Sequence, residues 1–168
     1  MDRVHMKMPQ NQLELINAVT GMNTETVVIV SAGSVVEMPW IRKVKAVVHG
    51  YLGGQAGASA MLDVITGKTN PSGKLNETYP ICYEDTPAYA YYPGKERNSE
   101  YREGLYVGYR YYDTVKKDVL FPFGYGLSYT DFTYSDLSVS EKGVSFCITN
   151  TGNFAGAEIA QLYIEKEA

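Results

Sequence analysis

Tyrosine is concentrated in one part of this chain. Thirteen of its fifteen tyrosines fall between Tyr79 and Tyr134, interleaved with Phe, Gly and Pro in EYREGLYVGYRYYD (100–113) and LFPFGYGLSYTDF (120–132). Disordered linkers are depleted in aromatic residues, because they have no core in which to bury them. The stretch is therefore predicted to be an ordered strap across the faces of neighbouring domains, with its rings buried and its hydroxyl groups on polar partners.

The composition excludes several classes of protein. Apolar residues make up 45% and charged residues 20% of the 168 residues, which is ordinary for a globular chain. A net charge of −4 offers no basic surface to nucleic acid. No apolar run approaches the roughly 20 residues of a membrane-spanning helix. The two histidines lie near neither Cys82 nor Cys147, so no metal site is expected, and two free thiols are favoured over a disulfide.

The first part of the chain alternates between helical and extended patterns. Helix, strand, short helical turn, strand and helix are predicted in that order over residues 10–22, 26–31, 39–44, 45–51 and 54–67. The β-branched runs TVVIVS and KAVVHGY are typical of buried parallel strands. Asn70-Pro71-Ser72-Gly73 then marks a hard turn. The pattern predicts an α/β layered fold with a parallel sheet, cut from a domain that starts before Met1.

From Asp131 onward the apolar residues recur with a period of two. Strands are predicted around 132–139, 144–148 and 159–163, with a hairpin turn at Glu141-Lys142-Gly143. This is the pattern expected at the start of an antiparallel β-sandwich whose remaining strands would follow Ala168. An unfinished sheet and an unfinished sandwich expose unpaired edges, so self-association is expected.

Four segments resemble the C-terminal half of glycoside hydrolase family 3, the family of β-glucosidases and their relatives. They are EMPW (37–40), YLGGQAGASAMLDVITGKTNPSGKLNETYP (51–80) and the two aromatic segments quoted above. The resemblance implies a catalytic barrel, an α/β sandwich domain and a fibronectin type III-like domain. It implies that residues 1–78 end the α/β sandwich, residues 79–130 form an aromatic inter-domain connector, and residues 131–168 form the first fibronectin-like strands.

The resemblance also implies where the catalytic groups lie. A retaining glycosidase needs two carboxyl groups about 5–5.5 Å apart, one nucleophile and one acid/base. In the family the nucleophilic aspartate belongs to the barrel, and the β-glucosidase branch carries its acid/base glutamate in a Glu-Gly-(any)-Asp-Arg stretch. Asp2 and Arg3 match the end of that stretch, so no residue of this chain is expected to be catalytic. Asp2, Arg3 and His5 are the substrate-adjacent candidates. The structural alternatives are a frayed terminus and an exposed loop histidine.

Other polar residues have structural interpretations. Glu37 is expected to lie at the start of the 39–44 turn, where the helix dipole favours a carboxylate. Glu100, Arg102 and Glu103 are expected to form charge pairs between strands or domains. His49, inside an apolar run, is expected to be a hydrogen-bonded buried histidine.

The predicted parent is a retaining β-glycosidase, with β-glucosidase the favoured activity and with no metal or organic cofactor. Its partners would be a β-linked glycoside and the catalytic barrel, with no nucleic acid and no membrane, and the chain by itself would be inactive. Two alternatives stay open. One is a carbohydrate-binding module whose tyrosines stack on sugar rings, and the other is an assembly module that associates through its sheet edges. The sugar itself is not specified by this sequence.

Overall fold

The computed structural model of the chain describes residues 4–23, 25–94 and 97–164. Its regular elements are α1 (Gln10–Met22), β1 (Val27–Val30), a 3-10 helix (Ile41–Lys43), β2 (Ala46–His49), α2 (Gly57–Ile65), a 3-10 helix (Tyr83–Asp85), α3 (Tyr109–Val115), β3 (Phe132–Ser140) and β4 (Gly143–Asn150). β1 and β2 form a small parallel sheet, and β3 and β4 form a small antiparallel sheet. Within these described ranges, no helix has the length and apolar character needed to cross a bilayer.

The parallel sheet is covered on one face. β1 pairs with β2 from Val27 opposite Ala46 to Val30 opposite His49. Val28 and Val30 point into the core, whereas Val27 and Ile29 on the other face are 44% and 49% exposed. The two predicted strands are therefore confirmed, but the prediction that they are fully buried is wrong. The described chain packs its core against only one side of the pleat, where alternate residues point.

The core gathers around the EMPW motif. Its two most completely buried large side chains are Trp40 and Tyr79. The cluster of buried residues consists of Met6, Val30, Val35, Val36, Met38, Trp40 and Tyr79. Leu13 and Ile16 project from α1 onto this cluster, because residues three apart share one face of a helix. The predicted amphipathic helix over 10–22 thus covers the core with its apolar side.

The aromatic segment leaves and re-enters this core at one place. Residues 75–79 run antiparallel to residues 120–125, and we call this pairing the clasp. Four backbone hydrogen bonds of 2.7–2.8 Å join it: Leu75 N–H to Tyr125 O, Gly124 N–H to Leu75 O, Tyr79 N–H to Phe121 O, and Leu120 N–H to Tyr79 O. Everything between residues 80 and 119 is therefore an excursion that starts and ends beside the buried Tyr79 ring.

The excursion is more exposed than the sequence suggested. Among the described tyrosines of the excursion and the clasp, Tyr79 and Tyr112 are buried, at 1% and 6% exposed. The chain turns at Gly104 and Gly108, where φ of 58° and 56° suits glycine, and Tyr106 between them is 55% exposed. Most rings of the segment are exposed or only partly buried within the described residues, and the predicted strap across the faces of neighbouring domains stays a prediction. The α3 helix inside it was not predicted.

A polar junction connects the α/β part to the hairpin. The side chain of Asn70 donates to Ser128 Oγ at 3.0 Å and accepts from Tyr129 N–H at 2.6 Å. Lys74 Nζ donates to the Gly126 carbonyl at 2.8 Å and lies 3.5 Å from the carboxylate of Glu158, with both charged side chains mostly buried. The predicted Asn70–Gly73 turn is therefore a joint between distant parts of the chain.

The hairpin has two chemically different faces. Residues paired across the two strands lie on the same face, and so do residues two apart along one strand. One face therefore carries Tyr134, Val139, Val144, Phe146 and Ile148. Thr133, Ser135, Ser138, Ser145, Cys147 and Thr149 lie on the other face. The register shifts between Ser135 and Ser138, where Asp136 has a φ of 55°, as expected at a β-bulge. The hairpin and its turn at 141–143 confirm the prediction.

The predicted third strand is not formed. Residues 159–163 have no regular secondary structure and pair with neither strand of the hairpin. The preceding residues are held elsewhere, since Ala157 N–H donates to Ser72 Oγ at 3.0 Å and Glu158 pairs with Lys74. Contacts with the junction thus direct this tail away from the sheet, despite its alternating sequence.

The clasp and the junction approach each other too closely for a side chain at Gly126. A Cβ there would lie 2.7 Å from the Gly73 carbonyl oxygen and 3.0 Å from Lys74 Cδ. We expect Gly126→Ala to lower the free energy of unfolding by about 1–3 kcal/mol, since backbone atoms must move. Urea denaturation measures the change. Gly73→Ala is the matched control, because its Cβ would have no atom within 4 Å, and equal losses in both variants would contradict the prediction.

Candidate functional site

Two loops meet at the carboxyl edge of the parallel sheet. β1 and β2 end at Val30 and His49, so the loops that follow them leave the same edge, where α/β folds generally bind ligands. Ser31 Oγ donates to the Tyr51 carbonyl at 3.2 Å and connects the two loops. The first loop goes on to Ser34 and Val35, which form part of the wall of a cleft.

This cleft has a volume of about 500 Å³ and is open to solvent. Its floor includes the first clasp segment, and its opposite wall comes from the aromatic excursion. The lining residues are Met6, Ser34, Val35, Asn76, Glu77, Thr78, Pro80, Thr86, Pro87, Ala88, Glu103, Gly108, Tyr109, Tyr112 and Phe123. Residues from six separate parts of the sequence therefore converge on one concavity.

The aromatic wall is held in place by ring contacts. Tyr109 stacks on Phe123 with centroids 5.1 Å apart and planes 26° from parallel, and Tyr163 packs edge-on against Tyr109 at 5.6 Å. Tyr112 is buried beside them. Burial, together with nearby negative groups such as Asp85, raises the pKa of Tyr112 to about 12. Its hydroxyl is therefore protonated at all physiological pH values.

Three polar side chains of the cleft retain unused hydrogen-bonding capacity. Thr78 is only 7% exposed, and its hydroxyl has no partner among the described residues. Asn76 Oδ1 accepts from the Tyr51 hydroxyl at 3.0 Å, which leaves its amide N–H groups for another acceptor. Glu103 also lines the cleft, and a carboxylate accepts hydrogen bonds through both of its oxygens.

His49 supports the edge of the sheet behind this cleft. Its Nδ1 accepts from Tyr51 N–H at 3.3 Å, and its ring lies 3.9 Å from that of Tyr51 and 5.7 Å from that of Tyr79. Burial lowers the pKa of His49, so the imidazole is neutral near pH 7. The expected hydrogen bond is present at Nδ1, but the expectation of a buried histidine is not met, because His49 is only half-buried and its Nε2 has no partner among the described residues.

The predicted substrate-adjacent residues lie at the start of the chain. His5 is exposed and precedes Met6, which lines the cleft and whose carbonyl accepts from Glu37 N–H at 2.9 Å. Asp2 and Arg3 lie outside the described residues. His5 is therefore the sequence neighbour of a residue that lines the cleft. Its contact with a substrate stays a prediction.

The other acidic candidates make local structural contacts. Glu37 accepts from Tyr83 N–H at 3.1 Å, so it caps the 3-10 helix at 83–85 and not its own turn. The prediction that Glu37 acts at the start of the 39–44 turn was wrong. The N–H groups at the start of a helix have no partner within that helix, and Glu37 accepts from the one at Tyr83. Arg102 pairs with Glu100 and lies 4.7 Å above the ring of Tyr91. Both residues lie in a loop. The predicted charge pair is therefore confirmed, but its predicted location between strands is not.

Asp85 anchors the excursion near the cleft. Its carboxylate lies 2.8 Å from Lys117 Nζ and accepts from the Cys82 thiol at 3.3 Å. The hydrogen bond from Lys117 lowers the pKa of Asp85, whereas burial raises the pKa of Cys82. The general acid of a glycosidase needs a raised pKa. Because the pKa of Asp85 is lowered, Asp85 is suited to structural pairing and not to that role.

Cys82 and Cys147 are both free, as predicted, and the described residues contain no cluster of three metal-ligating side chains.

Comparison with known proteins identifies the family. A profile of the glycosyl hydrolase family 3 C-terminal domain matches residues 1–129. The chain is 52% identical to thermostable beta-glucosidase B of Acetivibrio thermocellus, covering 98% of this chain and 23% of that protein. It is 40% identical to an exo-alpha-(1->6)-L-arabinopyranosidase of Bifidobacterium longum, covering 97% and 22%. The crystal structure of the Bifidobacterium adolescentis GH3 beta-glucosidase superposes with a TM-score of 0.86 at 44% identity, covering 90% and 23%.

The fold and these likenesses define the family to which the chain belongs. The chain belongs to glycoside hydrolase family 3 and contains its C-terminal domain. It spans about a quarter of the length of the relatives that it matches. The resemblance found in the EMPW and tyrosine-rich segments is thereby confirmed.

The Asp85–Lys117 pair predicts an acid-dependent effect. The pKa of Asp85 is depressed in the folded chain, so its stabilisation is complete above the unfolded value of about 3.9 and is lost as the pH falls through the folded value. We expect Lys117→Met to be less stable than the parent above about pH 5, with the difference in melting temperature vanishing in stronger acid. Lys116→Met is the control, since that lysine has no ion pair within the described ranges. A difference independent of pH would count against the pair.

Proposed function

We propose that this chain is the C-terminal part of a retaining β-glucosidase. The observation that carries the proposal is 52% identity, over nearly the whole chain, to a protein named as a β-glucosidase. The relative named as an arabinopyranosidase is less similar, at 40% identity. We therefore favour a β-linked glucoside as the substrate, cleaved through a covalent glycosyl-enzyme intermediate.

In this proposal the two catalytic carboxyl groups come from outside the chain. The nucleophilic aspartate belongs to a barrel domain, and the acid/base glutamate lies three positions before Asp2 in the Glu-Gly-(any)-Asp-Arg stretch. Asp2, Arg3 and His5 then lie at the edge of the substrate site. The carboxylates described above support this division, since Glu37 and Asp85 are engaged in structural contacts. The chain alone is expected to be inactive, and the mechanism uses no metal or organic cofactor.

The proposed domain boundaries follow the family. Residues 1–78 end the α/β sandwich, residues 79–130 form the connector, and residues 131–168 begin a fibronectin type III-like domain. The two-faced hairpin supports the last assignment, because a β-sandwich packs an apolar face inward. Its exposed Tyr134, Val139 and Phe146 also favour self-association of the separate chain, the assembly alternative.

The test is hydrolysis of an aryl β-glucoside. This chain replaces the equivalent segment of the Acetivibrio thermocellus enzyme, and the chimera is compared with the chain alone and with the chain mixed with the remainder of that enzyme. We expect activity in the chimera and in the mixture, and none in the chain alone. An aryl arabinopyranoside serves as the control substrate and is expected to be cleaved more slowly.

Two outcomes would overturn the proposal. Hydrolysis by the chain alone would show that a catalytic pair lies within it. A chimera that folds but is inactive on the aryl β-glucoside, or that prefers the arabinopyranoside, would remove the assignment as a β-glucosidase.

A further inference from the structure

We propose that the cleft between the clasp and the aromatic excursion binds a pyranoside unit, using residues of this chain alone. The choice of a glucoside as the ligand rests on the proposed function, whereas the existence of a sugar site rests on the cleft itself. The chemistry of its walls and of its unpaired polar groups carries the inference.

The cleft has the size and lining of a small-molecule site. Its volume of about 500 Å³ lies within the roughly 300–1,000 Å³ typical of ligand pockets, which are mostly apolar with a few placed polar groups. Apolar and aromatic side chains form most of its walls, among them Val35, Pro87 and Phe123. A ligand with both an apolar face and a polar rim fits this lining.

The aromatic wall is built from rings that pack against one another. Tyr109 stacks on Phe123 and makes an edge-to-face contact with Tyr163. Little side-chain entropy remains to be lost on binding, which favours affinity. A pyranose presents axial C–H groups on one face, and such a face packs against the apolar parts of tyrosine and phenylalanine.

The polar groups call for a ligand that both donates and accepts. A buried hydroxyl without a partner, as at Thr78, is less stable than one that is hydrogen-bonded. Asn76 offers N–H donors, and the carboxylate of Glu103 offers acceptors. Sugar hydroxyl groups satisfy both kinds of partner. The two carboxylates of the cleft, Glu77 and Glu103, disfavour an anionic ligand and suit a neutral polyol.

The decisive variant is Thr78→Val, which keeps the shape and removes the hydroxyl. Because that hydroxyl has no partner in the ligand-free chain, we expect the variant to fold with an unchanged or higher melting temperature. Methyl β-glucoside and cellobiose are titrated into the full chain, and amide chemical shifts are followed by NMR. We expect saturable shifts around Thr78 and Tyr109, and a fivefold to tenfold loss of affinity in Thr78→Val, as for about one hydrogen bond.

Two further variants separate the cleft from other surfaces. Glu103→Gln keeps the size of the side chain and removes its charge, and we expect weaker binding with unchanged folding. Tyr101→Ala removes an 88% exposed ring that does not line the cleft, and we expect unchanged affinity. Loss of binding in Tyr101→Ala but not in Thr78→Val would overturn the proposal in favour of the exposed tyrosines.

The outcome is separable from that of the proposed function. Absence of saturable shifts at the cleft, beside an active chimera, would overturn the sugar site and leave the β-glucosidase assignment standing. Sugar binding that depends on Thr78, beside an inactive chimera, would keep the site and remove the enzyme assignment.

Discussion

The backbone pairing at Tyr79 is the constraint on which the rest of the structure depends. Tyr79 is 1% exposed, and its main chain exchanges hydrogen bonds with Phe121 inside the core. About forty residues intervene, and closing so long a loop without such pairing has a substantial entropic cost. The pairing also fixes Thr78 just before the excursion and Phe123 just after it. Both walls of the cleft are therefore set by one antiparallel contact.

Much of the fold could be predicted because its local patterns agree with its tertiary contacts. The runs at 26–31 and 45–51 are β-branched and bounded by polar residues, and the turn at Gly143 has a φ of 144° that suits glycine. The tail at 159–163 has an equally good alternating pattern. It forms no strand, because the contacts of Ala157 and Glu158 with the junction decide its direction. Local propensity yields to tertiary context here.

The candidate site was much harder to predict than the family. The EMPW and tyrosine-rich segments identify the family by their order and length. Thr78 and Tyr109, in contrast, are unremarkable in sequence and meet only through the clasp. Likewise, Glu37 finds Tyr83 46 residues away, a partner that no spacing rule contains. The helix at 109–115 is equally obscure, since its tyrosines favour strands by propensity and the burial of Tyr112 secures it.

The single tryptophan gives this chain an internal optical reporter. Trp40 is 2% exposed in the core, and thirteen tyrosines lie between Tyr79 and Tyr134. Excitation energy absorbed by those tyrosines passes to the indole only while the aromatic segment stays folded against the core. Loss of sensitised indole emission, with direct indole emission preserved, would therefore mark detachment of the excursion from an intact α/β core. Unfolding of both parts together would change the two signals in parallel.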